Sequence, residues 1–342
     1  MAWLQLYLLL LGASPPPTLP ATAGADWGPL TVHSLAPVFT SRLAYTSGRI
    51  PPLPQGQALL HLGLTEANTW APATTTFFDG DWARLELRGE IGLGAGLALQ
   101  LGLSLQRRGG GLWDGMIETF HRLSHLDNAD RERYPRGRLR IYTYDHSRNV
   151  TFELDGGPAY GLSNPTLGLK WALRDARDGG PHLVLEAVAK LPVGSLRSGF
   201  ATGHLETLFD LGLQQGLGQR GQLYVVVGLV QGWAPQMLYG MPLSRLQRFI
   251  LIGLGWRLSN DFLLITHYLN QDGAVADPIY DEFLTYPTHE FVFGLRWIPS
   301  QASRWHFELG CIENAVNMSN TADFGLHLAI QLHLGGAPSG GA

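Results

Sequence analysis

The sequence predicts an all-β fold, a transmembrane antiparallel up-and-down β-barrel of about 14 strands, with twelve strands as the alternative. The first observation is the stretch 84–106, which places an apolar residue or glycine at every odd position. Because side chains on a strand alternate between two faces, this ribbon has one apolar side and one polar side. The second observation is a charged-residue content of 15%, where soluble domains have about 25%. The third is a regular alternation of short and long connections between strands.

The N-terminal residues 1–25 have the pattern of a secretory signal peptide. An apolar core over about residues 2–11 is followed by small residues at Ala21, Ala23 and Ala25, although no Lys or Arg precedes the core. This core is shorter than the roughly 20 residues of a membrane-spanning helix. No later segment is long and uncharged enough for such a helix, so we expect strands to cross the membrane.

Residues 26–56 separate the signal peptide from the first predicted strand. Pro51, Pro52 and Pro54 disfavour a regular strand there. We expect this segment to be either a periplasmic arm or a plug folded into the barrel lumen.

Residues 57–334 carry the strand pattern, and residues 335–342 are expected to form a flexible tail. Most predicted strands are close to the roughly 9 to 11 residues that cross a membrane at a tilt. The strands are predicted at 57–68, 82–93, 97–107, 138–144, 149–155, 165–174, 181–191, 204–215, 221–231, 247–258, 261–270, 288–298, 303–313 and 323–334. The pair within 138–155 and the first strand have the weakest pattern, which leaves twelve as the alternative count.

Short and long connections then follow each other along the chain. Short periplasmic turns and long outer loops are typical of outer-membrane barrels, and this arrangement puts both chain ends on the periplasmic side. Within 84–106 the unbroken phase requires an odd number of turn residues, and the simplest choice is a three-residue loop at Gly94, Ala95 and Gly96. A soluble β-sandwich would alternate as well, but nearly every strand carries Leu, Ile, Phe or Trp on its apolar face, and tryptophans lie near the strand ends.

Several classes of function find no support. A net charge of -4 and the lack of a Lys/Arg run argue against nucleic-acid binding. Cys311 is the only cysteine, so neither an intrachain disulfide nor a thiolate metal site is expected. No phosphate-binding loop, dinucleotide fingerprint or EF-hand spacing occurs, and we expect no cofactor.

The long loop at 108–137 contains a helical pattern. Trp113, Met116, Ile117, Phe120 and Leu123 recur at helical spacing. A second stripe, made of Asp114, Glu118, His121 and His125, could ligate a metal ion. The favoured interpretation is an amphipathic helix that packs its apolar face on the barrel and turns its polar face to water, with no metal.

Charged residues on the even faces of the strands are expected to line the lumen and contact solutes. They are Arg84, Glu86, Arg88, Glu90, Lys170, Glu186, Lys190, Glu206, Asp210, Arg296 and Glu308. Such a wet interior of mixed sign favours small polar solutes without strong ion selectivity, or else an ion-pair network that fills a closed lumen. A membrane-embedded hydrolase is a third hypothesis, with His306 near Glu308, but no serine is fixed by spacing to either.

Four segments resemble a family of uncharacterised bacterial outer-membrane β-barrel proteins: "LHLGLTEANTW", "GGGLWDGMIETFHRLSHLDNADRERYPRGR", "AVAKLPVG" and "IENAVNMSNTADFGLHLAIQLHL". The resemblance implies a porin-like or transporter-like barrel in the outer membrane of a Gram-negative bacterium. Outer-membrane barrels commonly end on an aromatic residue that the assembly machinery recognises, whereas here Leu334 ends the strand.

The sequence therefore predicts a passive pore or transporter for small solutes, in contact with outer-membrane lipid and inserted by the barrel-assembly machinery. The alternatives are a closed-lumen structural or binding protein and a lipid hydrolase.

Overall fold

A computed structural model describes residues 28–45, 48–72, 75–111, 113–124, 131–144, 149–175, 180–194, 199–276, 282–300, 303–314 and 320–335. The strands are β1 (Ala58–Pro72), β2 (Thr76–Gly94), β3 (Leu97–Gly109), β4 (Leu139–Tyr144), β5 (Val150–Gly156), β6 (Ala159–Leu162), β7 (Thr166–Arg174), β8 (His182–Lys190), β9 (Glu206–Leu217), β10 (Gly221–Gly232), β11 (Met237–Leu238), β12 (Met241–Pro242), β13 (Leu246–Arg257), β14 (Phe262–Gln271), β15 (Thr288–Trp297), β16 (Trp305–Asn314) and β17 (Phe324–Leu334). The helices are α1 (Asp114–Ser124) and α2 (Glu282–Thr285), with a 3₁₀ turn at Arg131–Arg133. The predicted signal peptide and residues 336–342 of the predicted tail lie outside the described residues. In the described part of the chain, no helix is both long and apolar enough to span a membrane.

Twelve antiparallel strands close into a barrel. The first strand closes the ring, because Ala58 of β1 lies opposite Leu334 of β17 on one side and Ile91 of β2 on the other. The wall consists of β1 to β3, β7 to β10 and β13 to β17. The predicted all-β antiparallel barrel is therefore confirmed, with the smaller of the two predicted strand counts.

The strands predicted within 138–155 form, but outside the wall. β4 pairs with residues 76–79 of β2, beyond the point where Asp81 of β2 faces Gly109 at the end of β3. Among the described strands, β5 pairs only with β4. These two strands thus prolong one side of the wall at the loop end, and counting them as wall strands was wrong. Because β4 pairs with the start of β2, β2 begins at Thr76, six residues before the predicted residue 82.

The two faces of the wall differ as the alternation predicts. On β2, Leu85 and Leu87 face outward and are 41% and 46% exposed, whereas Arg84 and Glu86 face the lumen and are 8% and 7% exposed. Exposed Leu, Ile, Phe and Trp side chains continue around the ring. The outer surface is therefore apolar and the buried charge lies inside, as in a membrane barrel.

The turn between β2 and β3 preserves the alternation in another way than predicted. Gly94 pairs with Leu97, which leaves a two-residue turn at Ala95 and Gly96 with positive φ angles of 50° and 74°. Two positive φ angles suit the twist of a tight hairpin. A bulge at Leu93, between the pairs at Gly92 and Gly94, absorbs the extra residue, so the odd positions stay on the outer face.

One wall strand is interrupted. β6 and β7 both pair with β3, at Leu105 opposite Leu162 and at Gly102 opposite Thr166. Between them Ser163 and Asn164 are buried. The break turns polar side chains toward the lumen near the loop end of the barrel.

Candidate functional site

The N-terminal residues 28–45 and 48–57, called the plug below, run inside the barrel. The first limb begins beside β15, where Arg296 donates a hydrogen bond to the Pro29 carbonyl (3.1 Å). It reaches the loop end, where the Ser34 hydroxyl donates to Glu290 (2.7 Å), and turns at residues 37–42. The second limb returns to the turn end, where the Leu53 N–H donates to Glu90 (3.0 Å).

A fully buried carboxylate anchors the plug near its turn. Glu206 accepts the Leu43 N–H at 2.5 Å and lies 3.3 Å from Arg42 Nε and 2.5 Å from Lys190 Nζ. Lys190 also donates to the Ser41 carbonyl (2.9 Å). Because one carboxylate faces two cations and a backbone N–H, its burial is well compensated.

The plug also packs on an apolar part of the lumen. Its residues Leu30, Val32, Leu43, Tyr45 and Ile50 share one buried cluster with wall side chains of β8 to β10 and β13 to β16. Tyr45 stacks on Phe249 with ring centroids 4.8 Å apart. A second buried cluster joins the plug turn, including Phe39, to the loops above it. The plug is therefore held by apolar burial as well as by polar anchors.

The lumen face of the wall also carries charged groups. Glu86 accepts hydrogen bonds from Arg84 (3.2 Å) and Arg88 (2.9 Å). The Lys170 ammonium contacts Glu90 at 3.0 Å. On β16, Glu308 accepts from Arg296 (2.5 Å) and Gln331 (2.8 Å). These groups lie on neighbouring strands, so the even faces form a connected ladder of charge.

Three adjoining cavities lie between parts of the plug and this charged wall, and Arg88 borders all of them. The largest, about 640 Å³, reaches Asn164 at the strand break near the loop end. The second, about 310 Å³, shares Tyr45, Glu186 and Asp210 with the first. The third, about 350 Å³, extends to Leu59 and Gln331 near the turn end. Together the three cavities follow one side of the lumen from Asn164 at the strand break to Leu59.

All eleven residues predicted to line the lumen lie on its inner face, and the structure brings them together across strands. The groups are Arg84, Glu86 and Arg88; Glu90 and Lys170; Glu186 and Asp210; Lys190 and Glu206; and Arg296 and Glu308. Sequence reasoning missed the plug residues that complete the site, His33, Arg42 and Tyr45, because their segment has no periodic pattern.

Among the titratable groups outside the wall strands, His33 and Asp323 have shifted pKa values. Burial lowers the pKa of His33 from 6.5 to about 3, and the nearby Arg84 acts in the same direction. Burial raises the pKa of Asp323 to about 7, against the opposing effect of Arg131. His33 is therefore neutral inside the lumen, and Asp323 titrates near neutral pH at the loop end.

Helix α1 forms as predicted, but its orientation differs from the favoured interpretation. Asp114 and Glu118 are buried, whereas Met116 and Leu123 are exposed. The buried carboxylates are satisfied, since Asp114 accepts the Gly137 N–H (2.9 Å) and Glu118 accepts two hydrogen bonds from Arg136. Because these two carboxylates bind the residues that follow the helix, the acidic stripe of α1 faces inward. Trp113 lies half-buried just before the helix.

The metal hypothesis rested on His121 and His125. The His121 side chain and the whole of His125 lie outside the described residues. Among the residues that are described, no three His, Cys, Asp or Glu side chains form a group that could hold a metal ion. For the hydrolase hypothesis, Glu308 is bonded to Arg296 and Gln331 and lies 3.4 Å from His327. These contacts are those of an ion-pair cluster.

Comparison with known proteins gives a family and a fold. Residues 18–333 match the model of a family described as "Protein of unknown function (DUF3187)". The COG4313 outer membrane channel from Pseudomonas putida F1 is similar in structure with a TM-score of 0.56 and 10% identity, over 85% of this chain and 100% of that chain. The NanC porin has a TM-score of 0.45 and 7% identity, over 82% of this chain and 99% of that chain. No curated protein matches the sequence. At 10% identity the Pseudomonas likeness shows the fold alone.

Proposed function

The chain belongs to the DUF3187 family, and we propose that it is a bacterial outer-membrane channel that passes small polar solutes along a narrow passage beside its plug. The fold is shared with a Pseudomonas putida outer membrane channel. In this proposal, solutes move through the cavities that lie between the charged wall and the plug.

The outer surface supports a membrane location. Outward-facing Leu85, Leu101 and Leu309 belong to a continuous exposed apolar band around the wall. Tryptophans at the turn ends of strands, among them Trp256 and Trp305, are 43% and 48% exposed. An apolar band bordered by aromatic residues matches a bilayer core and its interface. The long-loop end would then face outward and the short-turn end the periplasm.

The observation that carries the proposal is the row of cavities joined at Arg88. A solute that moves between plug and wall meets Arg88 in each of the three. The lining there is polar and charged, with Gln100, Lys170 and Glu186. A charged constriction of this kind selects by size and polarity, so hydrated small solutes are favoured over bulky or apolar ones.

Single-channel recording on the refolded full-length protein in planar bilayers tests the proposal. We expect small, steady unit currents. Arg88→Ala should raise the unit conductance by about twofold or more, because it removes the side chain common to all three cavities. The matched control is Arg138→Ala, which removes an exposed arginine beside Asp155 outside the wall. A wild-type protein that gives neither currents nor solute flux into vesicles would overturn the proposal.

A closed-lumen structural or binding protein is the second candidate, favoured by the apolar packing of the plug. Leu30 Cδ1 lies 2.8 Å and 2.9 Å from the positions where Gly294 and Gly310 would carry a Cβ. Contact this close on the β15–β16 side leaves the plug no room to shift toward that wall. Under this candidate, Arg88→Ala leaves the bilayer silent.

The membrane partners follow from the same proposal. We expect outer-membrane lipid around the apolar band and insertion by the barrel-assembly machinery, with Leu334 as the last residue of the closing strand. Heat-modifiable migration of the protein from an outer-membrane fraction tests both expectations. Recovery of the protein only in the soluble periplasmic fraction would contradict them.

A further inference from the structure

The largest cavity has a basic wall and an acidic wall. Arg84 and Arg88 on β2 border it on one side, and Glu186 and Asp210 on β8 and β9 border it on the other. The cavity encloses about 640 Å³ of space, part of which is open to solvent. Plug residues His33 and Tyr45 complete the lining.

The basic wall has more positive charge than its own carboxylate neutralises. Arg84 and Arg88 both bond to Glu86, so two guanidinium groups share one carboxylate. Arg84 is only 8% exposed, yet its Nη1 has no hydrogen-bond partner among the described residues. A buried guanidinium nitrogen without an acceptor is costly unless a ligand or water supplies one. This edge of the cavity is therefore suited to a carboxylate.

The acidic wall has the opposite imbalance. Glu186 and Asp210 lie directly opposite each other in the β8–β9 register. Asp210 is 6% exposed, and its Oδ2 has no hydrogen-bond partner in the described part of the chain. Lys170 faces Glu186 across β7 and β8, but its ammonium bonds to Glu90 (3.0 Å) and to the Arg49 carbonyl. This edge is suited to an ammonium group.

We infer that this cavity is a binding site for small zwitterions of the α-amino-acid class. The ligand's ammonium group lies against Glu186 and Asp210, and its carboxylate lies against Arg84 and Arg88. A zwitterion is preferred because it meets both walls, whereas an ion of one sign would satisfy one wall and leave the other unpaired. The inference rests on the proposed channel function, since it names the class of solute that the passage selects.

Equilibrium binding of labelled L-serine to the refolded full chain in detergent tests the inference. We expect saturable binding that unlabelled L-serine displaces, with ethanolamine and lactate each weaker and erythritol without effect. Asp210→Asn and Arg84→Gln should each weaken L-serine binding by about tenfold, because each removes one charged hydrogen-bond partner. Glu153→Gln removes a carboxylate from exposed β5 outside the wall and should leave binding unchanged.

The outcomes separate this inference from the channel proposal. Equal binding of ethanolamine and L-serine, with no effect of Arg84→Gln, would replace the zwitterion site with a cation site and overturn the inference. Absence of L-serine binding overturns it too, while bilayer currents would still support the channel. If Asp210→Asn loses heat-modifiable migration, Glu186→Gln provides the second test of the acidic wall, with the same expected loss.

Discussion

Glycine occurs in the wall where the plug comes closest. A Cβ on Gly92 would lie 2.0 Å from the Pro54 carbonyl oxygen and 2.4 Å from that of Leu53. The even face of β2 therefore changes from charged residues to glycine at the height where the second limb of the plug leaves the lumen. Glycine is needed at this position because of a tertiary contact: any side chain would displace the plug backbone.

Gly92→Val should loosen this contact. Overpacking of a tight contact costs about 1–3 kcal/mol, which we expect to appear as a lower temperature for loss of heat-modifiable migration. Gly89→Val is the matched control, since Gly89 has nothing within 4 Å of its Cβ position. An equal shift in the two variants would mean that β-branching in the strand, and not the plug, causes the effect.

His33 gives the plug a dependence on pH. Its Nδ1–H donates to the Ser34 carbonyl at 2.6 Å, and burial lowers the pKa of His33 from 6.5 to about 3. Since the folded state disfavours the charged imidazole, the stabilisation is present above pH 6.5 and is lost as the pH falls toward 3. The facing charges are Arg84 and Arg88, which disfavour protonation, and Glu86, which favours it.

At pH 5 the loss amounts to about 2 kcal/mol, from the difference between the pH and the unfolded pKa. We expect thermal stability of the plugged barrel to fall between pH 7.5 and pH 5, and the fall to shrink in His33→Gln. The measurement is the heat-modification temperature at the two pH values. A wild-type profile that is flat over this range would contradict the assignment.

The plug as an element depends on the wall for its backbone hydrogen bonds. It has little regular structure of its own, and wall side chains supply donors to its carbonyls. Gln106 donates to the Thr40 carbonyl (2.6 Å) and Lys190 to the Ser41 carbonyl (2.9 Å). Buried backbone groups need such partners. The plug conformation is thus specified by residues far away in the sequence.

Glu206→Gln should release the loop-end part of the plug. The substitution leaves the buried Arg42 and Lys190 without their shared carboxylate, which costs about 3–5 kcal/mol when a buried charge loses its partner. We expect a cysteine at Ser41, a fully buried position, to become reactive toward a membrane-impermeant maleimide in a Cys311→Ala background. Glu153→Gln on exposed β5 is the control. Unchanged labelling in Glu206→Gln would show that apolar packing alone holds the plug.

The wall strands could be predicted from sequence because each one has an apolar outer face and a polar face toward the lumen. This constraint acts within each strand, so β3 and β10 agree with prediction to within two residues at both ends. β4 and β5 also alternate, but their place outside the ring depends on the extra length of β2. Alternation shows that a strand has two different faces, but it does not show which neighbouring strand it pairs with.

The candidate site was predictable in part for the same reason. Arg84, Glu86 and Asp210 follow from the even faces of strands. His33, Arg42 and Tyr45 do not, because the plug has no period and its position depends on contacts with eight or more strands of the wall. The prediction of how α1 is oriented was wrong for a related reason. Hydrogen bonds from Gly137 and Arg136 decide which face of the helix is buried.

At the scale of the whole molecule, the lumen is divided lengthwise. Tyr224, Leu251 and Ile265 are buried in the apolar cluster with the plug, whereas Arg88 on β2 borders all three cavities. Apolar burial holds the plug against one side, and polar contacts such as that of the Leu53 N–H with Glu90 hold it to the charged side as well. Under the proposed function, this arrangement lets the barrel hold a plug and keep a polar passage at the same time.

A disulfide that ties the plug to the wall distinguishes passage beside the plug from passage after its removal. Ile50 Cγ2 lies 2.9 Å from the Cβ position of Gly212, which brings the two Cβ atoms near the about 3.5–4.5 Å that a disulfide spans. In a Cys311→Ala background, we expect Ile50→Cys with Gly212→Cys to keep at least about half of the unit conductance when oxidised. The new bond replaces an existing contact at the border of the second cavity, so it narrows the charged side of the passage little. The single-cysteine variants control for the substitutions themselves. If oxidation abolishes the currents and reduction restores them, solutes pass only when the plug moves, and the lengthwise division of the lumen then describes the closed state of a gated channel.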